Sequence, residues 1–231
     1  MKTIGMIGGV SWESTAIYYR LTNTLTRERL GGAANARSLL LTLSFIEVAA
    51  LQQAGDWTAL TRLLQDAARR VEDAGADCLL LCSNTLHFAA EDVERVVGIP
   101  LLNVVDVTAQ VILARGLRMV ALLGTRYTME QRFYRDSLRE RHGIETLIPD
   151  EADRVEVHRV IFEELTQGRV LDSARAAYLA VLDRLAQKGA EGAILGCTEI
   201  SMLLGQRDCS LPVFDTTYLH AEAAVEWALR G

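Results

Sequence analysis

Apolar residues in this chain gather into short continuous runs, separated by longer stretches with helical spacing. The runs are Ile4-Gly5-Met6-Ile7, Leu39 to Leu43, Leu79-Leu80-Leu81, Leu101 to Val105, Val120 to Leu123, Ala193-Ile194-Leu195 and Leu211 to Phe214. Runs this short, bounded by glycine, proline and small polar residues, predict strands buried on both faces. Between them the period lengthens. Ser11 is placed to cap a helix carrying Tyr18, Tyr19 and Leu21. Phe45 to Gly55 reads as a loop or short helix. Asp56 opens an amphipathic helix with Leu60, Leu63, Leu64, Ala67 and Val71 on one face, stopped by Gly75. Further helices are predicted around Glu91 to Val97, after the capping pair Thr128 and Gln131, over Ala152 to Thr166, over Ser173 to Lys188, and over Thr216 to Leu229.

The pattern repeats. Gly8 and Gly124 are 116 residues apart, and the same step carries Ile4 to Val120 and Tyr18 to Tyr134. Gly75 and Gly189 are 114 apart, a step that carries Ser83 to Cys197 and Asn84 to Thr198. Ile99-Pro100 is matched by Leu211-Pro212. Alternating strands and helices imply an α/β fold of parallel sheets covered on both faces. The expectation is two pseudosymmetric, doubly wound parallel-sheet domains. Residues 1–100 plus 212–231 form the first and 101–211 the second, with the active site in the cleft between them. In such sheets ligands bind beyond the carboxyl ends of the strands. Gly8-Gly9, Ser83-Asn84-Thr85, Gly124-Thr125 and Cys197-Thr198 all fall at such ends.

Composition narrows the class. The formal charge is −6, the pI about 5.3, and no basic cluster occurs, which argues against nucleic acid as a partner. No apolar run has membrane-spanning length, and Met1-Lys2-Thr3-Ile4-Gly5 lacks the layout of a signal peptide. The four cysteines, Cys78, Cys82, Cys197 and Cys209, lack zinc-ligand spacing. They read as reduced thiols, so a cytoplasmic location without a metal is expected.

Cys78 and Cys82 sit inside an apolar run and read as packing. Cys209 lies in a loop between Asp208 and Ser210. Cys197 is different: it follows Gly196 at a strand end and precedes Thr198 and Glu199. Its thiolate is the reactive form, and at an ordinary cysteine pKa that form costs roughly 2 kcal/mol at neutral pH. Backbone N–H groups at a following helix start are expected to lower that cost. Thr198, Asn84, Thr85 and Thr125 are short donors suited to a carboxylate, or to capping helices, or to both. Gly8-Gly9-Val10-Ser11 is neither the three-glycine dinucleotide turn nor a P-loop, and close backbone approach to a small carboxylate is the simpler reading. His87 and His220 read as structural histidines. Trp12, Trp57 and Trp227 read as core or interface aromatics.

Gly8-Gly9-Val10-Ser11-Trp12-Glu13-Ser14-Thr15, Ser83-Asn84-Thr85-Leu86-His87, Leu123-Gly124-Thr125-Arg126-Tyr127-Thr128 and Gly196-Cys197-Thr198-Glu199 together resemble the aspartate/glutamate racemase family. The likeness is closest to its aspartate racemase and broad-specificity branch, and it spans essentially the whole chain. It implies a cofactor-independent amino-acid racemase, a homodimer, in which two cysteines flank the substrate α-carbon. One removes the α-proton and the other returns a proton to the opposite face. On that pattern Cys197 is the second cysteine, and Val10, Ser11, Asn84, Thr85, Thr125 and Thr198 hold the substrate. Gln52 and Glu164 line its side-chain pocket, and Arg126 is the nearest candidate cation. The first cysteine is replaced by Ser83. Cys82, one position earlier, points to the other side of the strand. A hydroxyl relays a proton but is a weak base, so reaction from the L enantiomer is expected to exceed reaction from the D. Two other readings remain open: a single-cysteine decarboxylase or cis–trans isomerase of a small diacid, and a non-catalytic amino-acid-binding protein.

Overall fold

The computed structural model describes residues 1–230. It divides into two compact units, Met1–Asn103 with the chain from His220 onward, and Val104–Leu219. Each is an all-parallel sheet with helices on both faces.

The first unit runs β1 (Ile4–Gly8), α1 (Trp12–Leu30), β2 (Ser38–Thr42), α2 (Phe45–Ala54), α3 (Trp57–Asp73), β3 (Cys78–Leu81), a 3-10 turn (Thr85–Ala89) and α4 (Ala90–Glu94). The second runs α5 (Val104–Ala114), β4 (Met119–Gly124), α6 (Arg126–Glu130), α7 (Arg132–His142), β5 (Glu145–Leu147), α8 (Glu151–Glu163), a 3-10 turn (Leu165–Gln167), α9 (Asp172–Gln187), β6 (Ala193–Gly196), α10 (Ile200–Leu203) and β7 (Val213–Asp215). The last helix, α11 (Thr216–Leu229), crosses the boundary between the units.

Strand order is β2-β1-β3 in the first sheet and β5-β4-β6-β7 in the second, all neighbours parallel. Leu101 adds a single parallel bridge to Leu79 in the place that β7 takes beside β6. The repeat seen in the sequence is therefore a repeat of topology, and it extends to single bonds. The Leu79 N–H donates to the Pro100 carbonyl at 2.9 Å, and the Ala193 N–H, 114 residues on, donates to that of Pro212 at 2.8 Å.

Alternation along the strands builds two cores per unit. In the first unit Ile7, Leu79 and Leu81 meet Leu60, Leu64 and Val71 of α3 on one face. Ile4, Met6, Leu80 and Cys82 meet Tyr18 and Leu25 of α1, with Ala221, Ala224 and Val225 of α11, on the other. In the second, Leu123, Ala193 and Leu195 face Val157, Val160, Tyr178 and Leu182 of α8 and α9, while Val120, Leu122 and Ile194 face Ala109, Ile112, Tyr134 and Leu138 of α5 and α7. Each leucine or valine so buried stabilises by about 1.5–3 kcal/mol relative to exposure.

Three expectations are corrected. The apolar run Leu101 to Val105 yields one bridge and then a helix. Val104, Val105, Thr108, Ala109 and Ile112 are buried along α5, a spacing that a five-residue window does not separate from a strand. The helix after β4 starts at Arg126, two residues before Thr128. Thr125 is its cap and accepts from the Thr128 N–H at 3.3 Å, while Gln131 is the extended joint between α6 and α7. The second unit extends past the expected boundary at residue 211, because β7 hydrogen-bonds to β6. Of the two readings given to Trp12, core or interface, its 68% exposure leaves only the second. β5 escaped the sequence reading altogether. It is three residues long at a sheet edge, and it carries two polar residues.

Candidate active site

In the first unit, β1 and β3 are neighbours with Ile7 opposite Leu81, so Gly8-Gly9 and Cys82-Ser83 leave the sheet side by side. A Cβ on Gly8 would lie 2.4 Å from Thr15 Oγ1, and Gly9 takes φ +100° with Leu43 backbone against it. Only glycine fits both positions. Hydroxyls then tie the strand ends to α1. Thr15 Oγ1 accepts from the Gly9 N–H at 2.8 Å and donates to the Ser11 carbonyl at 2.9 Å. Ser11 Oγ accepts from the Ser14 N–H, capping α1, and Ser14 Oγ donates to the Cys82 carbonyl at 3.2 Å. Val10 is half-buried against the α3-side core.

Ser83 is half-buried, and Asn84 and Thr85 are buried where the 3-10 turn begins. His87 Nδ1 donates to the Ser83 carbonyl at 2.9 Å. Behind it, 5.5 Å away edge to face, lies the ring of His220. His220 Nε2 donates to the Leu102 carbonyl at 2.6 Å and its Nδ1 accepts from the Tyr18 hydroxyl at 2.9 Å. Burial, followed by the neighbouring His87, pushes the His220 pKa down to about 3, so it is neutral. Both nitrogens of His220 are thus committed, and His87 braces the Ser83 backbone carbonyl. Cys82 is fully buried beside Leu80, and burial pushes its thiol well up; Cys78 is pushed up to about 12. Both thiols are packed in the α1-side core. Gln52 lies half-buried on α2.

In the second unit Gly124 of β4 stands opposite Gly196 of β6, so Thr125 and Cys197 emerge from adjacent strands. Thr125 caps α6, and its Oγ1 is 3.3 Å from Thr128 Oγ1. Cys197 is half-buried, and its thiol donates to Glu199 Oε2 at 2.8 Å. Burial first, then the Glu199 carboxylate, hold the thiol pKa well above its ordinary value; the Glu199 and Thr198 N–H groups pull only partly the other way. The expected activation by a helix start is thus outweighed in the free protein. Thr198 is buried and receives the Thr217 hydroxyl at 3.4 Å, while Thr216 Oγ1 donates to the Leu195 carbonyl at 2.8 Å.

Glu164 ends α8, 7% exposed. Its Oε1 accepts from Arg159 Nη1 at 2.8 Å; its Oε2 is buried with no hydrogen-bond partner. Arg159 also forks onto Glu156 through Nε and Nη2 at 2.9 and 2.8 Å. Arg126 is mostly exposed and donates from Nε to Glu130 at 2.7 Å, so its charge is engaged on its own helix.

Glu199, Arg159 and the His87 brace were not singled out as functional from the sequence. The signal for Glu199 was present. A residue two places after a cysteine at a strand end, on the way into a helix, returns to the cysteine's side. Among the described residues no group of histidine, cysteine and carboxylate side chains is arranged to hold a metal ion, and no helix is long and apolar enough to cross a membrane.

A family profile described as Asp/Glu/hydantoin racemase matches residues 7–224. A solved structure from Yersinia pestis, described there as a candidate Asp/Glu racemase, is 47% identical over the full length of both chains with a TM-score of 0.94. An aspartate racemase homologue from Pyrococcus horikoshii OT3 is 35% identical, covers 99% of both chains and superposes with a TM-score of 0.88. The broad-specificity amino-acid racemase RacX of Bacillus subtilis strain 168 is 23% identical over 170 residues, covering 74% of this chain and 73% of that one.

Proposed function

The chain belongs to the Asp/Glu/hydantoin racemase family, isomerases that work without pyridoxal phosphate, and on that premise we propose how its own residues carry the reaction. Racemisation needs a group that removes the α-proton from one face of the carbon and a group that returns a proton to the other. We assign the first role, for the L enantiomer, to Cys197. The observation that carries this is the 2.8 Å hydrogen bond from its thiol to Glu199. That bond fixes the sulfur at the strand end as a thiol in the free protein, and the thiolate, the only form able to act as base, forms once the thiol proton is given up. The α-proton passes to sulfur while the electron pair of the C–H bond stays on the substrate. Hydroxyls and N–H groups at the strand ends suit the carboxylate that must carry this charge: Ser11, Asn84, Thr85, Thr125 and Thr198, with the Val10 backbone. The Ser83 hydroxyl then donates its proton to the carbon and recovers one from solvent.

A serine hydroxyl is a far weaker base than a thiolate. The D enantiomer would need Ser83 as base, so its initial rate is expected to be at least about a hundredfold below that of the L form. The test is α-proton exchange in heavy water from each enantiomer, with Cys197→Ala beside the native protein. Equal rates from both enantiomers, or exchange that survives loss of the thiol, would sink the assignment. Cytoplasmic location and a homodimer complete the proposal.

A further inference from the structure

We infer that the side-chain subsite of this racemase takes an amino acid ending in a cation or a hydrogen-bond donor, and disfavours the dicarboxylic amino acids. The inference rests on the racemase reading above and concerns one residue, Glu164. Its carboxylate is nine-tenths buried, yet only one of its oxygens is paired, while Oε2 faces no protein donor. A buried anionic oxygen left in that state costs free energy that a ligand donor would return.

Arg159 does not cancel the charge. It is the shared partner of Glu156, Glu163 and Glu164 at 2.8, 3.5 and 2.8 Å, so three carboxylates surround one guanidinium and the cluster stays net negative. Arg126, the cation that an acidic substrate would need, is turned onto Glu130. The cluster belongs to the Cys197 end of the unit. The 3-10 turn that follows Glu164 packs against α10, which follows Cys197. Leu165 of that turn shares its core with Leu195 and Ile200, and Cys197 packs on the same core. The Tyr178 hydroxyl, which donates to the Val157 carbonyl at 2.7 Å, lies within electrostatic reach of Cys197, Glu156, Arg159 and Glu164 together. A substrate whose side chain ended in a carboxylate would meet like charge there, a mismatch costly enough to decide selectivity. An ammonium, guanidinium or amide would supply the absent donor.

The experiment measures α-proton exchange in heavy water across L-lysine, L-ornithine, L-arginine, L-glutamine, L-aspartate and L-glutamate. The native protein should give kcat/KM for the cationic or amide substrates at least about tenfold above the two acidic ones. Glu164→Gln, isosteric and uncharged, should cut the lysine-to-glutamate ratio by about tenfold or more. If that variant fails to fold, as judged by its melting curve, the native panel decides alone. A native preference for aspartate or glutamate overturns this inference and leaves the racemase reading standing, as does a folded Glu164→Gln protein with an unchanged ratio. Exchange from no amino acid in the panel removes the racemase reading, and this inference with it.

Discussion

His220 should make the first unit acid-sensitive over a defined window. The ring is fully buried, neutral, and committed at both nitrogens: Nε2 to the Leu102 carbonyl and Nδ1 to the Tyr18 hydroxyl. Its folded pKa lies at about 3, below the ordinary histidine value near 6.5 that the unfolded chain would show. The unfolded state therefore binds a proton that the folded state refuses. Stability is intact above about pH 6.5 and falls as pH drops from there towards 3. Each unit of difference is worth 1.36 kcal/mol, so the loss relative to pH 7 is about 2 kcal/mol at pH 5 and about 3 kcal/mol at pH 4. That is a large part of the 5–15 kcal/mol typical of a domain. The assay is urea unfolding from pH 7 to pH 4 of the native protein and His220→Asn. The variant is less stable at pH 7, having lost a packed ring, but its pH slope should be shallower by the amounts above. The comparison of slopes removes carboxylate titration, which both proteins share. Parallel loss of stability in the two proteins between pH 7 and pH 5 would refute the reasoning.

Two further outcomes are expected. Glu199→Gln removes the carboxylate that, after burial, does most to raise the Cys197 thiol pKa, so alkylation of Cys197 by iodoacetamide should speed up at neutral pH. An alkylation rate that does not rise would contradict this account of the thiol. Gly8→Ala places a methyl group 2.4 Å from Thr15 Oγ1, the atom that holds the Gly9 N–H. It should destabilise by about 1–3 kcal/mol in chemical denaturation, and an unchanged midpoint would contradict the packing described.

The sequence carried the architecture because the strands are buried on both faces. Runs such as Leu79-Leu80-Leu81 stand out against the helical periods of α3 or α9. It carried the strand-end residues too, since the repeat aligns Gly8 with Gly124 and Ser83 with Cys197. What it missed depends on contacts between separate segments. The β-branched residues of α5 are apolar in either conformation, and only the burial of Thr108 and Ile112 beside them selects the helix. The high thiol pKa of Cys197 likewise needs the folded position of Glu199, which backbone propensity does not encode. Glu164 was placed in the pocket by resemblance alone. The unpaired oxygen and the crowding of carboxylates around Arg159 come from the packing of α8 and the turn that follows it.

The course of α11 makes the first unit depend on the far end of the chain's second half. Ala221, Ala224, Val225 and Ala228 complete the α1-side core of the first unit, and His220 ties Leu102 to Tyr18. On the ribosome, all of Val104–Leu219 is synthesised before those residues exist. The first unit, although most of it is made earlier, therefore lacks one wall of its core until α11 has been added. The half that holds Ser83 thus depends for its core on residues that follow the whole of the half that holds Cys197.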